Sequence, residues 1–213
     1  MTLITAAANA NIREQGITVG RELLLCEVEQ ACRNLLKALR IDTVNDPNVR
    51  DTPQRMAKMF VDELFRGRYE PIPELRQFPD QCHMDQLYTV GPVPITSMCS
   101  HHMLPFTGHC FIGILPNPGM PLLGLSKFAR LADWIFCRPQ IQEEATIQLA
   151  DLIMTKCSPL GLGLVVQAEH QCMTLRGVKK PGTKMTTSVM RGALLENAKL
   201  REEFLTLANH AAQ

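Results

Sequence analysis

The 213-residue sequence predicts an α+β protein whose strands pair antiparallel. Two observations lead there. Segments with helical and strand character come in runs, two helices, two strands, two helices, two strands and a closing helix, and such segregation marks α+β architecture. Hydrophobic content of 46% with 20% charged residues is ordinary for a globular chain, and the length suits one domain with an appendage.

The elements follow in order. Residues 1 to about 18 show no period and are expected to form a mobile arm. From Arg21 to Arg40, Leu24, Val28, Cys32, Leu35 and Leu39 recur at helical spacing. Asp51-Thr52-Pro53 opens a second helix, with a capping side chain ahead of Pro at the first helical position. That helix is expected to bury Met56, Phe60 and Leu64. Glu70 to Pro79, interrupted by three prolines, is a connector. Leu87–Met98 reads as a strand with a bulge or an edge at Gly91, Pro92 and Pro94, and Phe106–Leu115 as its successor. Ser126 is expected to cap a helix ending near Cys137, and Pro139 to open another. Gly161–His170 and Gln171–Val178 are expected as a strand pair, and Leu194–Asn209 as the last helix.

Composition excludes several partners. A net charge of +1 gives no dominant attraction for nucleic acid or membrane, and 5% aromatics with a single Trp134 offer no base-stacking platform. No apolar run approaches bilayer-spanning length. Thr2–Ala6 is too short, and lacks the preceding basic residues, to be a secretory signal. Eight cysteines at irregular spacing therefore point to free thiols and metal ligation in a reducing, cytoplasmic setting.

Chemistry concentrates in two clusters, Cys99-Ser100-His101-His102 and His170-Gln171-Cys172. Taken singly, each thiol reads as a small buried hydrophobe and the His pair as a polar turn. Together they are the thiolate and imidazole donors that Zn²⁺ prefers, and three protein ligands leave a position open for water. A tight turn would aim Cys99 and His102 at one ion. On a strand, His170 and Cys172 would leave the same face. The expected ligands are Cys99, His102 and Cys172, with His101 and His170 beside them to move protons.

Three further segments carry both a plain and a functional meaning. Ser126, Lys127 and Arg130 surround a helix start, which is either a solvated capped helix or a phosphate seat. Gln142 and Glu143 open a helix, where acids complement the dipole; a carboxylate there would also accept the paired donors of guanine. Arg176 follows Cys172 as surface charge or as a pocket cation.

The ordered set Cys-x-His-His, Gly-Leu-Ser-Lys-x-x-Arg, Arg-Pro-Gln-x-Gln-Glu and His-x-Cys-Met-x-x-Arg-Gly-Val resembles the GTP cyclohydrolase I family, over roughly residues 20 to 208. Thr52–Met59 also resembles that family's N-terminal helix. The resemblance implies a tunnelling fold (T-fold), an antiparallel sheet backed by helices, with a helical region over 1–80 and a catalytic domain over 81–213. It implies a homodecamer with sites between subunits, and Zn²⁺ on Cys99, His102 and Cys172. It further implies catalytic His101, His170 and Gln142, with Glu143 anchoring guanine. Ser126, Lys127, Arg130, Arg176 and Arg55 would surround the ribose and polyphosphate of GTP. The implied product is 7,8-dihydroneopterin triphosphate, with release of formate. Members usually carry Glu where this chain has Ser100, so Arg176 loses an expected partner. That departure motivates one alternative, a paralogue that hydrolyses another purine nucleotide or stops at the ring-opened formamide; a non-catalytic pterin- or purine-binding protein is a separate alternative, against which every proton-handling candidate is present.

Overall fold

The computed structural model describes residues 6–81, 83–119 and 121–211. They divide into two compact units, one ending at Pro71 and the other beginning at Ile72.

The first unit holds α1 (Arg21–Ala38), α2 (Thr52–Lys58), a π-helical turn (Met59–Leu64) and the short α3 (Arg66–Tyr69). The buried positions on α1 are Cys32 and Leu36, whereas Leu35 and Leu39 are 52% and 62% exposed. The buried stripe therefore advances in steps of four, and the expected one had the wrong phase at its C-terminal end. Pro53, Ala57 and Val61 are the buried line of the second helix, not Met56, Phe60 and Leu64, which are half-buried. Asp51 precedes that helix without a side-chain capping bond.

The expected mobile arm needs correcting too. Residues 1–5 lie outside the described residues, but Asn11 and Ile12 are buried. The Asn11 amide donates to Gly67 O at 2.8 Å and to Glu70 O at 2.7 Å, and Ile12 N donates to Arg68 O at 2.9 Å. These bonds tie the segment to the turn around α3.

The second unit is built on a five-stranded sheet in the order β5-β2-β3-β6-β7. Its strands are β2 (Tyr88–Cys99), β3 (Leu104–Leu115), β5 (Pro139–Gln140), β6 (Gly161–His170) and β7 (Lys184–Gly192). All pairs are antiparallel except β5 with β2. A separate two-stranded ladder joins β1 (Gln77–Phe78) to β4 (Leu122–Leu123). Ile72 and Leu75 pack on the sheet's core, so the connector from Ile72 onward goes with this unit. The β2–β3 register shifts between Val90 and Val93, at Gly91-Pro92, where a bulge was expected.

Helices cover the two faces unequally. Cys110, Ile112 and Ile114 of β3 face a core shared with α4 (Leu125–Phe136) and α5 (Gln142–Cys157). Phe111 points the other way, toward Leu194 of α7 (Ala193–Glu196) and Phe204 of α8 (Ala198–Ala211). Gly113 and Gly163 make room for the Phe204 ring. A Cβ at either would lie 2.3 Å or 2.5 Å from it. Thr107, His109, Gln167 and Thr186 on the same face are exposed.

Three expected elements differ. Gln171–Val178 is not a strand: α6 (Gln171–Thr174) is a helical turn, closed by Leu175 N donating to Gln171 O at 3.0 Å. The partner of β6 is β7, whose Thr186, Thr187 and Val189 supply the β-branched content. Ser126 does not cap α4, because Gly124 holds that position and Lys127 N donates to its carbonyl at 2.8 Å. Pro139 opens no helix: it lies in β5, and Ile141 precedes α5.

Candidate active site

The site gathers at one end of the sheet, where β2 ends, β3 begins and β6 ends. Cys99 and Leu104 are paired across the β2–β3 ladder, so residues 100–103 form the connecting turn. Met103 N donates to Cys99 O at 2.9 Å, and Met103 takes a left-handed φ of 51° to close it. On the other side, Phe106 pairs with His170, and α6 then swings Cys172 back toward Cys99.

The ligand atoms of Cys99, His102 and Cys172 lie within 4.8 Å of one another. Cys99 is buried, Cys172 half-buried and His102 exposed, which leaves one side open. Burial and the adjacent Cys99 push the Cys172 thiol up, while Arg176 pulls it down. Two crowded thiols that resist ionising together are what a divalent cation relieves, and thiolate with imidazole is a zinc donor set. The residues fit such an ion. Cys172 is positioned by a helical turn, not by strand alternation as expected.

His101 is exposed, with Nδ1 3.8 Å from Cys99 Sγ. His170 is more constrained. Its ring stacks on Phe106 with centroids 4.5 Å apart and planes 9° from parallel. Its Nε2 lies 2.8 Å from Gln142 Oε1. The Gln142 amide nitrogen donates toward Val166 O (3.1 Å), Met185 O (3.2 Å) and Thr187 Oγ1 (3.1 Å), so its oxygen must face His170. His170 therefore carries its proton on Nε2, and in the neutral ring Nδ1 has a lone pair. Burial lowers the His170 pKa, and the Glu143 carboxylate opposes that. Glu143 itself is exposed in the first turn of α5.

Arg176 is brought to the site by its Nη1, 3.0 Å from His102 Nε2. Among the described residues no hydrogen bond or ion pair joins Ser126, Lys127 or Arg130 to the cluster. Ser126 and Arg130 are exposed on α4, with Lys127 half-buried between them. Arg55 lies in the first unit, exposed, with Nη2 3.6 Å from Asp51.

Several supporting residues escaped the sequence. Cys99 pairs in parallel with Gln140, whose carbonyl accepts from Ser100 N at 3.2 Å. The buried Gln140 amide donates to Ile135 O (2.7 Å) and Ser97 Oγ (3.2 Å), and Ser97 donates to Arg138 O (3.0 Å). This network fixes the start of the Cys99 turn. A polar Ser97 at an inward position of an apolar strand was its one visible signal. Thr187 and Thr146, 2.9 Å apart, complete the cradle of Gln142, but β7 was not foreseen.

The profile of the GTP cyclohydrolase I family matches residues 28–209. The chain belongs to the GTP cyclohydrolase I family. It is 39% identical over 183 residues to GTP cyclohydrolase 1 of Thermoanaerobacter pseudethanolicus, covering 86% of this chain and 96% of that one. It is 44% identical over 181 residues to GTP cyclohydrolase 1 of Bacillus cytotoxicus, covering 84% and 94%. A solved structure of archaeosine synthase QueF-Like in the apo form is similar at 14% identity, covering 56% of this chain and 95% of that one. Its TM-score of 0.36 is too slight to carry weight. As a GTP cyclohydrolase I family member the chain is an enzyme, and its antiparallel sheet backed by helices is the tunnelling fold.

No helix among the described residues is long and apolar enough to cross a membrane. Seven of the cysteines are free thiols, and Cys82 lies outside the described residues.

Proposed function

We propose that this protein hydrolyses GTP at C8, releases formate and rearranges the remainder to 7,8-dihydroneopterin triphosphate. The observation that carries the proposal is the Cys99, His102 and Cys172 donor set, lying beside a His170 whose tautomer Gln142 fixes. Those three side chains would hold Zn²⁺. When bound, the ion supplies hydroxide at neutral pH by acidifying water, and about one ion per subunit with three ligands suits a catalytic role.

The chain's own groups do the rest. His170 is oriented by the Phe106 stack and the Gln142 bond, so Nδ1 is the nitrogen available to hold or move a proton at the purine. The lowered pKa favours its neutral form, and Glu143 keeps a charged form within reach. Glu143 would accept guanine N1–H and the 2-amino group together, which discriminates against bases lacking the second donor. His101 is placed to exchange protons at the open side. Ser126, Lys127, Arg130, Arg176 and Arg55 would hold the ribose and polyphosphate by charge-assisted hydrogen bonds. A homodecamer with sites at subunit interfaces would let separate copies contribute these groups, in a reducing cytoplasm that keeps the thiols free.

Ser100 supports a second reading, in which the enzyme stops at the ring-opened formamide. Incubating zinc-loaded protein with GTP separates the two. Formate and pterin fluorescence should rise together, and both should vanish in Cys172→Ala; ring opening without pterin would favour the second reading.

A further inference from the structure

Arg176 meets His102 in a way that bears on metal loading. A guanidinium has only donors, so its 3.0 Å contact with His102 Nε2 requires a lone pair on that nitrogen and the ring proton on Nδ1. Metal coordination removes that arrangement by either route. If an ion takes Nε2, the lone pair is used. If it takes Nδ1, the neutral ring carries its proton on Nε2, and two N–H groups face each other. The Arg176 contact and a metal ion on His102 therefore exclude one another.

Among the described residues no carboxylate pairs with the guanidinium, whose charge otherwise acts on the Cys172 thiol. Position 100 is Ser, and the Arg176 side chain's one hydrogen bond among the described residues is that to His102. Arg176 sits at the exposed exit of α6, followed by exposed Lys179 and Lys180. Such a cationic segment takes phosphate oxygens readily, and Arg does so in bidentate fashion.

We propose that Arg176 gates the metal site: it holds His102 by Nε2, with the ring proton on Nδ1, until a triphosphate chain draws the guanidinium away, so metal and triphosphate bind with positive coupling. Linkage makes the coupling reciprocal, each ligand tightening the other by the same factor. The proposal rests on the metal-site assignment above but not on any step of GTP chemistry.

The test is zinc binding by the metal-depleted full chain, with free Zn²⁺ set by a chelator buffer so that chelation by the anion itself does not count. Inorganic triphosphate should tighten wild-type zinc affinity by about tenfold, the scale of one charge-assisted hydrogen bond. Arg176→Met should show the tighter affinity without triphosphate and gain nothing from adding it. Ser100→Glu, which offers the guanidinium a carboxylate, should also tighten zinc, and its effect should shrink in the Arg176→Met background. Imidazole ¹H–¹⁵N spectra distinguish the contact from simple charge repulsion. The gate requires the Nδ1–H tautomer of His102 in metal-free wild type, lost in Arg176→Met. An Nε2–H tautomer in wild type, or unchanged zinc affinity in Arg176→Met, overturns the gate. Zinc bound equally by wild type and Cys172→Ala overturns the metal site itself, and the gate with it.

Discussion

Gln142 is wholly buried, and its amide joins two strands to His170. Gln142→Leu would remove the donor to Val166 O and Met185 O, while Thr187 Oγ1 keeps Thr146, at a cost of about 1–3 kcal/mol for an unsatisfied buried group. It would also free the His170 ring. Denaturant titration should show that loss, and turnover should fall by about 10- to 100-fold, the scale seen when a supporting partner of a site residue is removed. Zinc content should be unchanged, because Gln142 bonds to no member of the thiol cluster. Glu143 gives a different prediction. It is exposed, so Glu143→Gln should leave folding and zinc intact while sharply weakening GTP use. The wild-type enzyme should prefer GTP over ITP, because ITP lacks the 2-amino donor that the Glu143 carboxylate would accept beside N1–H. Equal use of the two nucleotides would remove Glu143 from guanine recognition. The thiols and imidazoles were legible at this scale because ligand chemistry is a property of residue type. The Arg176–His102 contact was not, since it depends on where a helical turn releases the chain.

At the scale of elements, α8 is held to the sheet chiefly by Phe204 over Gly113 and Gly163. Phe204→Ala should cost about 3–5 kcal/mol, as large-to-small changes in cores do. Gly163→Ala should also destabilise, because the added Cβ would lie 2.5 Å from the same ring; both are read from shifts in the denaturation midpoint. Long elements with clear period were legible: α1, β2, β3 and β6 lie within a few residues of expectation. Short or locally ambiguous ones were not. Met173-Thr174-Leu175 alternates like a strand, yet its backbone closes a helical turn, and Gly177 follows at φ 61°. Lys184–Gly192 was passed over because exposed and half-buried residues alternate along its first half and its apolar contrast is weak. Pro139 reads locally as a helix start, and only pairing with β2 makes it a strand. Tertiary pairing decides such segments, and no local signal reports it.

For the whole molecule, the sheet brings residues far apart in sequence to one end: Cys99 closes β2, His170 closes β6, and Gln142 opens α5 beside β5. The two motif clusters are thereby one site, which is why their order along the chain was informative before any geometry was known. The residues we propose for the phosphates and ribose lie on α4 (Ser126, Lys127, Arg130), at the α6 exit (Arg176) and in the first unit (Arg55). We propose that these groups carry GTP through to the pterin. Mass balance on zinc-loaded wild type with GTP, by mass spectrometry, tests it most directly. One formate should be released for each 7,8-dihydroneopterin triphosphate formed. Unchanged GTP, or a formamide accumulating with no pterin, would contradict it.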